Sequence, residues 1–578
     1  MEPKPILLQD ALKQYSHDQE KIIEPDKTIQ RFKERLATSG LKILDDIVRI
    51  DNGRLGIPIY FSICGPDAYA AIGNYKQMGK GATPAQSQAS AVMELGERFS
   101  LFSFYRNSQN FHFATRKAIE APVIDFKWIA RSVEDDSDDL HKMAKLFDQI
   151  PMQWTWAYNL TRSESVMVPF NWFWTINEFN GSSAGNCIEE ALCQGICEVV
   201  ERHVSSLVSR QELKAARIDR QSIQDPVALE LIGKYEKAGI ELCLSDFTLE
   251  MGIPTIGALA WDPNSFPAQS EIVWTAGTTP SPSKGLCRAL TEVAQLAGDF
   301  NSGGNYVASG LPKFQQIEFA RHITHPGKTV ALDALPDLSN PNIKIEVQSC
   351  VEALAKRGME VLAVDVRHPV LDIPAFYTII PGTQFRERAA NSSVAMISAK
   401  IVAESLPQDQ AIALLHDFNK QLPDKYFIQF YLGQAHLKTK QYTQATTHFT
   451  QALRLEAPAE DLASIHTYLG ICYKEMGKYH IALEALGKAH EIDAERTDTL
   501  NLMGFCHYKL GAYQEAISDF HKVIALDPSS AIDYANLGSN YRALGDTGKA
   551  IEYYQLALAL DSEIDFAREH LAQLGVQA

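Results

Sequence analysis

At 578 residues the chain is too long for a single core, and ordinary domain sizes suggest about three or four core-forming units. A hydrophobic fraction of 46% beside 22% charged residues is that of a soluble globular protein, and a net charge of −17 argues against nonspecific binding to a nucleic-acid backbone. Met1–Asp10 lacks a basic region followed by an apolar one, and no run of about 18 apolar residues occurs anywhere, so a cytoplasmic, non-membrane protein is expected.

Residues 1–400 alternate short β-rich runs with long helices, a mixed α+β pattern. Four runs carry proline near their start: Ile57–Phe61, Val168–Phe170, Ile253–Ile256 and Ile373–Tyr377. Proline cannot donate to a central ladder, which predicts strand starts or edges at these places. A further strand pair is expected between Val361 and Ile380.

Three helical stretches share one stepping of polar side chains: Gln86, Ser90, Glu94, Glu97; Glu190, Gln194, Glu198, Glu201; and Lys284, Arg288, Glu292, Gln295. The common offsets keep each set on one stripe of an α-helix. Around them lie Ala91, Val92, Met93, Leu95 and Phe99, and Ile188, Leu192, Cys193, Ile196, Val199 and Val200. A helix apolar on most sides is buried. Carboxylates carried into such surroundings must be paired or bound to a cation. Arg98 and Arg202 offer part of that compensation, and the remaining acid points to a hard cation, Mg²⁺ holding phosphates. One Glu-x-x-Glu-Arg alone reads equally as a surface ion-pair pattern; three matched stripes favour a site.

The loops Gly79–Thr83 and Gly181–Asn186 precede the first two stripes. Small residues there suit either helix capping or close approach to phosphate. No Walker loop and no Gly-x-Gly-x-x-Gly after a strand is present, so any nucleotide site is of another kind. Nine cysteines without a Cys-x-x-Cys pair, Cys187, Cys193 and Cys197 among them, read as small core residues. His203 and His368 read as satisfied side chains, and no catalytic base is assigned.

Residues 401–423, with Pro407 and Pro423, read as a linker. From 424 to 578 a period of about 34 residues appears: Gly433, Ala445, Phe449; Gly470, Ala482, Leu486; Gly504, Ala516, Phe520; Gly538, Ala550, Tyr554. This resembles the tetratricopeptide repeat, in about four copies with a capping helix near Ile564–Leu574. The first interval is longer, 37 residues from Gly433 to Gly470. Such repeats either dock a peptide or protein or pack against a second copy; both readings stay open.

Across residues 45–390 the ordered motifs Lys80-Gly81, Ser90-Ala91-x-x-Glu94-x-x-Glu97-Arg98, Glu190-Ala191-x-x-Gln194-x-x-x-Glu198-x-x-Glu201-Arg202 and Arg288-Ala289-Leu290-Thr291-Glu292-x-x-Gln295 resemble the YcaO family. Val364-Asp365-Val366 and Pro381-Gly382 match its late segment. The resemblance implies a YcaO-like α+β catalytic domain, followed here by the all-α solenoid. It also implies ATP and Mg²⁺ as cofactors, and activation of a peptide backbone amide by phosphorylation. A neighbouring Cys, Ser or Thr then gives an azoline, and external sulfide a thioamide.

Carried over by residue, the resemblance implies that Glu94, Glu97, Glu190, Glu198 and Glu201 hold Mg²⁺ or phosphates through it. Lys80, Ser90, Arg98, Ser183, Asn186, Gln194, Arg202, Arg288, Glu292 and Gln295 would contact or neutralise the nucleotide. Peptide-cyclising members commonly carry a Pro-rich tail or a fused precursor-delivery domain; this chain ends Leu574-Gly-Val-Gln-Ala578 after its repeats. A separate activator or delivery protein is therefore expected for that chemistry. The plan is similar to members linked to β-methylthiolation of a ribosomal protein, which gives an accessory role as a subtype. The alternatives are a noncatalytic nucleotide-binding scaffold and a tetratricopeptide adaptor.

Overall fold

The computed structural model describes residues 5–51, 53–133, 135, 137, 139–297, 300, 314–385, 392–455 and 457–576. They divide into two compact units, 1–394 and 395–578.

The first unit mixes three sheets with long helices. An antiparallel sheet joins Leu44–Arg49, Ile59–Cys64 and Lys76–Lys80. A five-stranded sheet runs in the order Val273–Thr278, Thr255–Trp261, Glu241–Asp246, Arg217–Ile218, Thr329–Val330, the last pair parallel. A six-stranded sheet runs His112–Ala114, Met152–Asn159, Leu362–Asp365, Ala375–Ile379, Ser182–Ala184, with Glu164–Pro169 also paired to Met152–Asn159. The expected late strand pair is therefore present and antiparallel.

Pro58, Pro254 and Pro374 each stand immediately before a strand. Pro169 differs: it is the last residue of its strand, because the next residue opens the helix Phe170–Asn177. There its missing donor costs nothing to the ladder and its fixed φ suits the turn into a helix.

All three striped segments are helical: Pro84–Arg106, Ile188–Gln211 and Pro282–Ala297. Thr83 caps the first, its hydroxyl accepting from Gln86 N at 3.2 Å, and Pro84 begins it. The second opens with Glu189 and Glu190, favourable charges at a helix N-terminus. Apolar faces bury each helix: Val92, Leu95 and Phe99; Leu192, Ile196, Val199 and Val200; Leu286, Leu290 and Val293.

Strand and helix meet without side chains between them. A Cβ on Gly79 would lie 2.1 Å from Ala91 N, and one on Gly277 would lie 2.5 Å from Ala289 N. Glycine is required at both because the helix backbone occupies the space. At the second helix the glycine sits on the other partner: a Cβ on Gly195 would lie 2.6 Å from Ser183 Oγ. The three strand–helix junctions thus repeat one close approach, as the internal repetition of the stripes leads one to expect.

The second unit is helical throughout its described residues. Residues 401–423, expected as a linker, instead hold the end of Val394–Ser405 and all of Gln408–Gln421. Ala411, Leu415 and Phe418 are buried at i, i+4, i+7, an apolar stripe that outweighs the local polarity, and Pro407 merely separates the two helices. Four helix pairs follow: Tyr426–Lys438 with Tyr442–Arg454, Ala459–Glu475 with Tyr479–Ile492, Thr497–Lys509 with Tyr513–Leu526, and Ala531–Ala543 with Thr547–Leu560. Asp565–Gln573 caps them. Within each pair the signature glycine receives the large side chain sixteen positions on, as where a Cβ on Gly433 would lie 2.6 Å from Phe449. No helix among the described residues is long and apolar enough to cross a membrane.

Candidate functional site

The three polar stripes face one cavity of about 290 Å³. The first helix contributes Gln86, Ser90, Glu94, Glu97 and Arg98 to its wall, the second Glu190, Gln194, Glu198 and Arg202, and the third Arg288, Glu292 and Gln295. Lys80 enters from the strand and Asn186 from the loop before the second helix. A cleft of about 870 Å³ elsewhere in the unit, lined by Trp156, Tyr158, Arg367 and His368, is larger but lacks this convergence of charge.

Opposite charges interlock around the cavity. Arg98 lies 3.4 Å from Glu97 and 3.7 Å from Glu94, and its guanidinium covers the Phe179 ring at 4.2 Å. Lys80 is ion-paired with Glu292. Arg288 donates to Glu201 at 2.9 Å and to Gln194 Oε1 at 3.2 Å. Glu190 accepts from Asn186 N and Nδ2, both at 2.9 Å, and from Ile22 N at 2.6 Å.

The carboxylates are nevertheless too close together for comfort. Burial, with repulsion from Glu198 and Glu94, pushes Glu97 up to about 8 against the pull of Arg98. Burial raises Glu198 as well, although Arg202, Arg98 and Arg288 oppose it. Burial and the neighbouring Arg288 lower Lys80 to about 7. Such a group of carboxyls, crowded and short of water, fits a divalent cation that would neutralise them together. Gln295 Oε1, shielded from solvent and without a hydrogen-bond partner among the described residues, adds a spare acceptor.

Two expected site residues stand outside the lining. Glu201 spends its Oε2 on Thr278 N and Arg288 Nε, both at 2.9 Å, and so ties two helices to the end of a strand. Ser183 is fully buried in the strand Ser182–Ala184, against Gly195. Of the third stripe, Lys284 turns to Asp225 at 2.8 Å. His203, also weighed as a base, accepts from Gln384 N at 2.9 Å and is held down to about 4 by burial.

No motif or periodicity in the sequence marks the N-terminal segment as part of the site. Gln19, Lys21, Ile23, Pro25 and Thr28 complete the cavity wall. Asp18 accepts from Ala82 N at 2.6 Å, and Glu189 from Gln9 N at 2.5 Å. The one signal in the sequence is the Glu189-Glu190 pair, whose buried carboxylates need donors that no periodic element supplies.

A family model described as YcaO cyclodehydratase, ATP- and Mg²⁺-binding, matches residues 78–384, just over half of the chain, and a tetratricopeptide model matches 495–563. An uncharacterized protein of Methanothermobacter thermautotrophicus is 28% identical over 384 residues, covering 63% of this chain and 94% of that protein. The ribosomal protein S12 methylthiotransferase accessory factor YcaO of Escherichia coli is 25% identical over 245 residues, covering 38% of this chain and 40% of that one. Among solved structures, YcaO from Methanopyrus kandleri bound with AMPPCP and Mg²⁺ superposes with a TM-score of 0.50 at 22% identity, over 65% of this chain and 95% of that chain. The matched span contains all three stripes and, apart from the N-terminal segment, the wall of the cavity they line: the chain belongs to the YcaO family of ATP- and Mg²⁺-binding cyclodehydratases, with tetratricopeptide repeats following the family domain.

Proposed function

We propose that the chain binds MgATP in this cavity and uses it to activate a backbone amide of a peptide or protein in the cytoplasm. The observation that carries the reading is the convergence of three repeated stripes on one cavity that buries its carboxyls deeply enough to raise Glu97 and Glu198.

Glu94, Glu97, Glu190 and Glu198 would hold the metal. Lys80, Arg98, Arg202 and Arg288 neutralise the polyphosphate, and Ser90, Asn186, Gln194, Glu292 and Gln295 orient the nucleotide through polar contacts. Glu201 acts through Arg288, whose guanidinium it holds, and Ser183 through the packing of its strand on the second helix. Bound MgATP supplies the phosphoryl group that turns the amide oxygen into a leaving group. The protein's part is positioning and charge stabilisation in a partly closed cavity.

Among the described residues no cysteine or histidine lines the cavity, so those residues offer neither a thiol nor an imidazole for the attack. The nucleophile in this reading comes from the substrate, giving an azoline, or from external sulfide, giving a thioamide. A third use of the same activation is as an accessory to ribosomal protein methylthiolation, the role in the name of the E. coli relative. The repeats are the docking surface for the peptide, protein or delivery partner.

Calorimetric titration of MgATP into wild type and into Glu198→Gln tests the site. Micromolar binding, lost in the folded variant, is expected. Mass spectrometry of peptides incubated with enzyme and MgATP then separates loss of water from exchange of oxygen for sulfur. Absence of MgATP binding by folded wild type overturns the proposal.

A further inference from the structure

We propose that the repeat unit carries a second, unrelated metal site, in which His416, His436 and His448 bind one Zn²⁺. The three histidines come from three successive helices, Gln408–Gln421, Tyr426–Lys438 and Tyr442–Arg454. One ring nitrogen from each lies within 4.8 Å of the other two. The His436 and His448 rings are stacked at 5.2 Å, and His416 stands 6.0 Å from His448.

The surroundings prepare two of these rings as ligands. Gln441 Oε1 accepts from His436 Nδ1 at 2.6 Å, and Gln429 Oε1 accepts from His448 Nδ1 at 2.9 Å. Gln429 is itself oriented, because its amide nitrogen donates to Asn419 Oδ1 at 2.8 Å. An amide oxygen on Nδ1 requires the proton there, which leaves the lone pair on Nε2. Metal-bound histidines are held in the same way by outer hydrogen bonds. Neutral imidazole is the form a metal needs.

Ligand chemistry selects the ion. An all-imidazole set without carboxylate suits Zn²⁺ and its transition-metal neighbours and is poor for Mg²⁺. Tetrahedral Zn–N bonds of about 2.0–2.1 Å place ligand nitrogens roughly 3.4 Å apart, so the nitrogens need to close by about 1.4 Å at most, and the His436 and His448 rings, 5° from parallel, must tilt to aim their in-plane lone pairs at one ion. Three protein ligands leave a fourth position, on the side where His416 is exposed, for water or for a side chain of a docked protein. Bound there, the ion would pin the helix Gln408–Gln421 to the first repeat pair.

The test uses full-length protein stripped with EDTA, titrated with Zn²⁺ and, for its spectrum, with Co²⁺. Expected, with the carboxylate cavity held by excess Mg²⁺, are one Zn²⁺ per chain in the repeat unit, a Co²⁺ spectrum without thiolate charge transfer, and a rise in melting temperature with Zn²⁺ of about 5 °C. Excess Mg²⁺ should not compete. His416→Ala, at an exposed position, and His448→Gln should each weaken Zn²⁺ at least about tenfold while melting like wild type in EDTA. Absence of binding, a thiolate band, or equal affinity in His416→Ala and wild type would each overturn the site. His416→Ala keeps the test open if His448→Gln fails to fold.

Discussion

Glu201 and Arg288 form the tightest link between the second and third striped helices: Nε donates to Oε2 at 2.9 Å, and the same oxygen accepts from Thr278 N. Both side chains are withdrawn from water, with 4% and 14% of their surface exposed, so neither charge is solvated if the other is removed. Glu201→Ala should therefore destabilise the fold by about 3 kcal/mol, the usual cost of stranding one partner of a buried pair. Glu201→Gln keeps an acceptor for Thr278 N and should lose less stability. Both variants remove the carboxylate that orients Arg288, leaving its bond to Gln194, and should weaken MgATP binding. Denaturant unfolding with and without MgATP separates the two effects.

The crowded carboxyls give the protein a pH signature. Glu97 has its folded-state pKa raised from 4.5 to about 8, so its contribution to stability is complete below about 4.5 and is lost as pH rises through about 8. Metal-free protein should thus become less stable across this window. Mg²⁺ binding expels the proton, so Mg²⁺ affinity should tighten by about tenfold per pH unit between 6 and 8 if one proton is released. Lys80 runs the opposite way: lowered from 10.5 to about 7, its contribution is complete above about 10.5 and is lost as pH falls through about 7. Glu97→Gln isolates the carboxyl share. Melting curves from pH 5 to 7, below the range in which Lys80 contributes, should show a flatter pH slope in this variant in EDTA, and an unchanged slope would refute the assignment.

Glycines separate into two kinds with opposite predictions. A Cβ on Gly79 meets helix backbone at 2.1 Å, and backbone cannot move aside, so Gly79→Ala should cost about 3 kcal/mol. Gly233, inside the helix Pro226–Lys237, has nothing within 4 Å of the added atom. Gly233→Ala should stabilise by about 0.5–1 kcal/mol through helix propensity and a less flexible unfolded chain. Chemical denaturation of the two variants reads both signs in one experiment.

The stripes were visible in the sequence because helical periodicity is a local property, and four polar residues at fixed offsets need no knowledge of partners. The repeat unit was visible for the same reason, since each glycine and its large neighbour recur at one spacing. What periodicity does not encode is who accepts from whom. Glu201 and Glu198 look alike in the sequence, yet Glu198 lines the cavity while Glu201 is spent on Arg288 and Thr278 N. Ser183 looked like a loop hydroxyl beside phosphate; it is a packing residue opposite Gly195, a relationship twelve residues apart that only strand–helix geometry reveals. In residues 401–423 the prolines and polar residues mask the helical stripe of Ala411, Leu415 and Phe418.

The N-terminal segment gives the sharpest separation of metal binding from architecture. Glu190 accepts from Ile22 N at 2.6 Å as well as from both nitrogens of Asn186, so this carboxylate holds the segment that completes the cavity wall. In Glu190→Gln the amide nitrogen must face at least one of these donors, and a donor facing a donor in a buried place costs roughly 1–3 kcal/mol locally. The segment 5–24 should then loosen, and limited proteolysis should cleave within it faster than in wild type. Glu94 has no such backbone partner among the described residues and sits near Arg98 at 3.7 Å. Glu94→Gln should weaken Mg²⁺ while leaving the proteolysis rate unchanged. If both variants lose Mg²⁺ and neither changes cleavage, Glu190 acts on the metal and not on the segment; if Glu190→Gln alone speeds cleavage, the carboxylate's hold on Ile22 is what keeps the cavity closed.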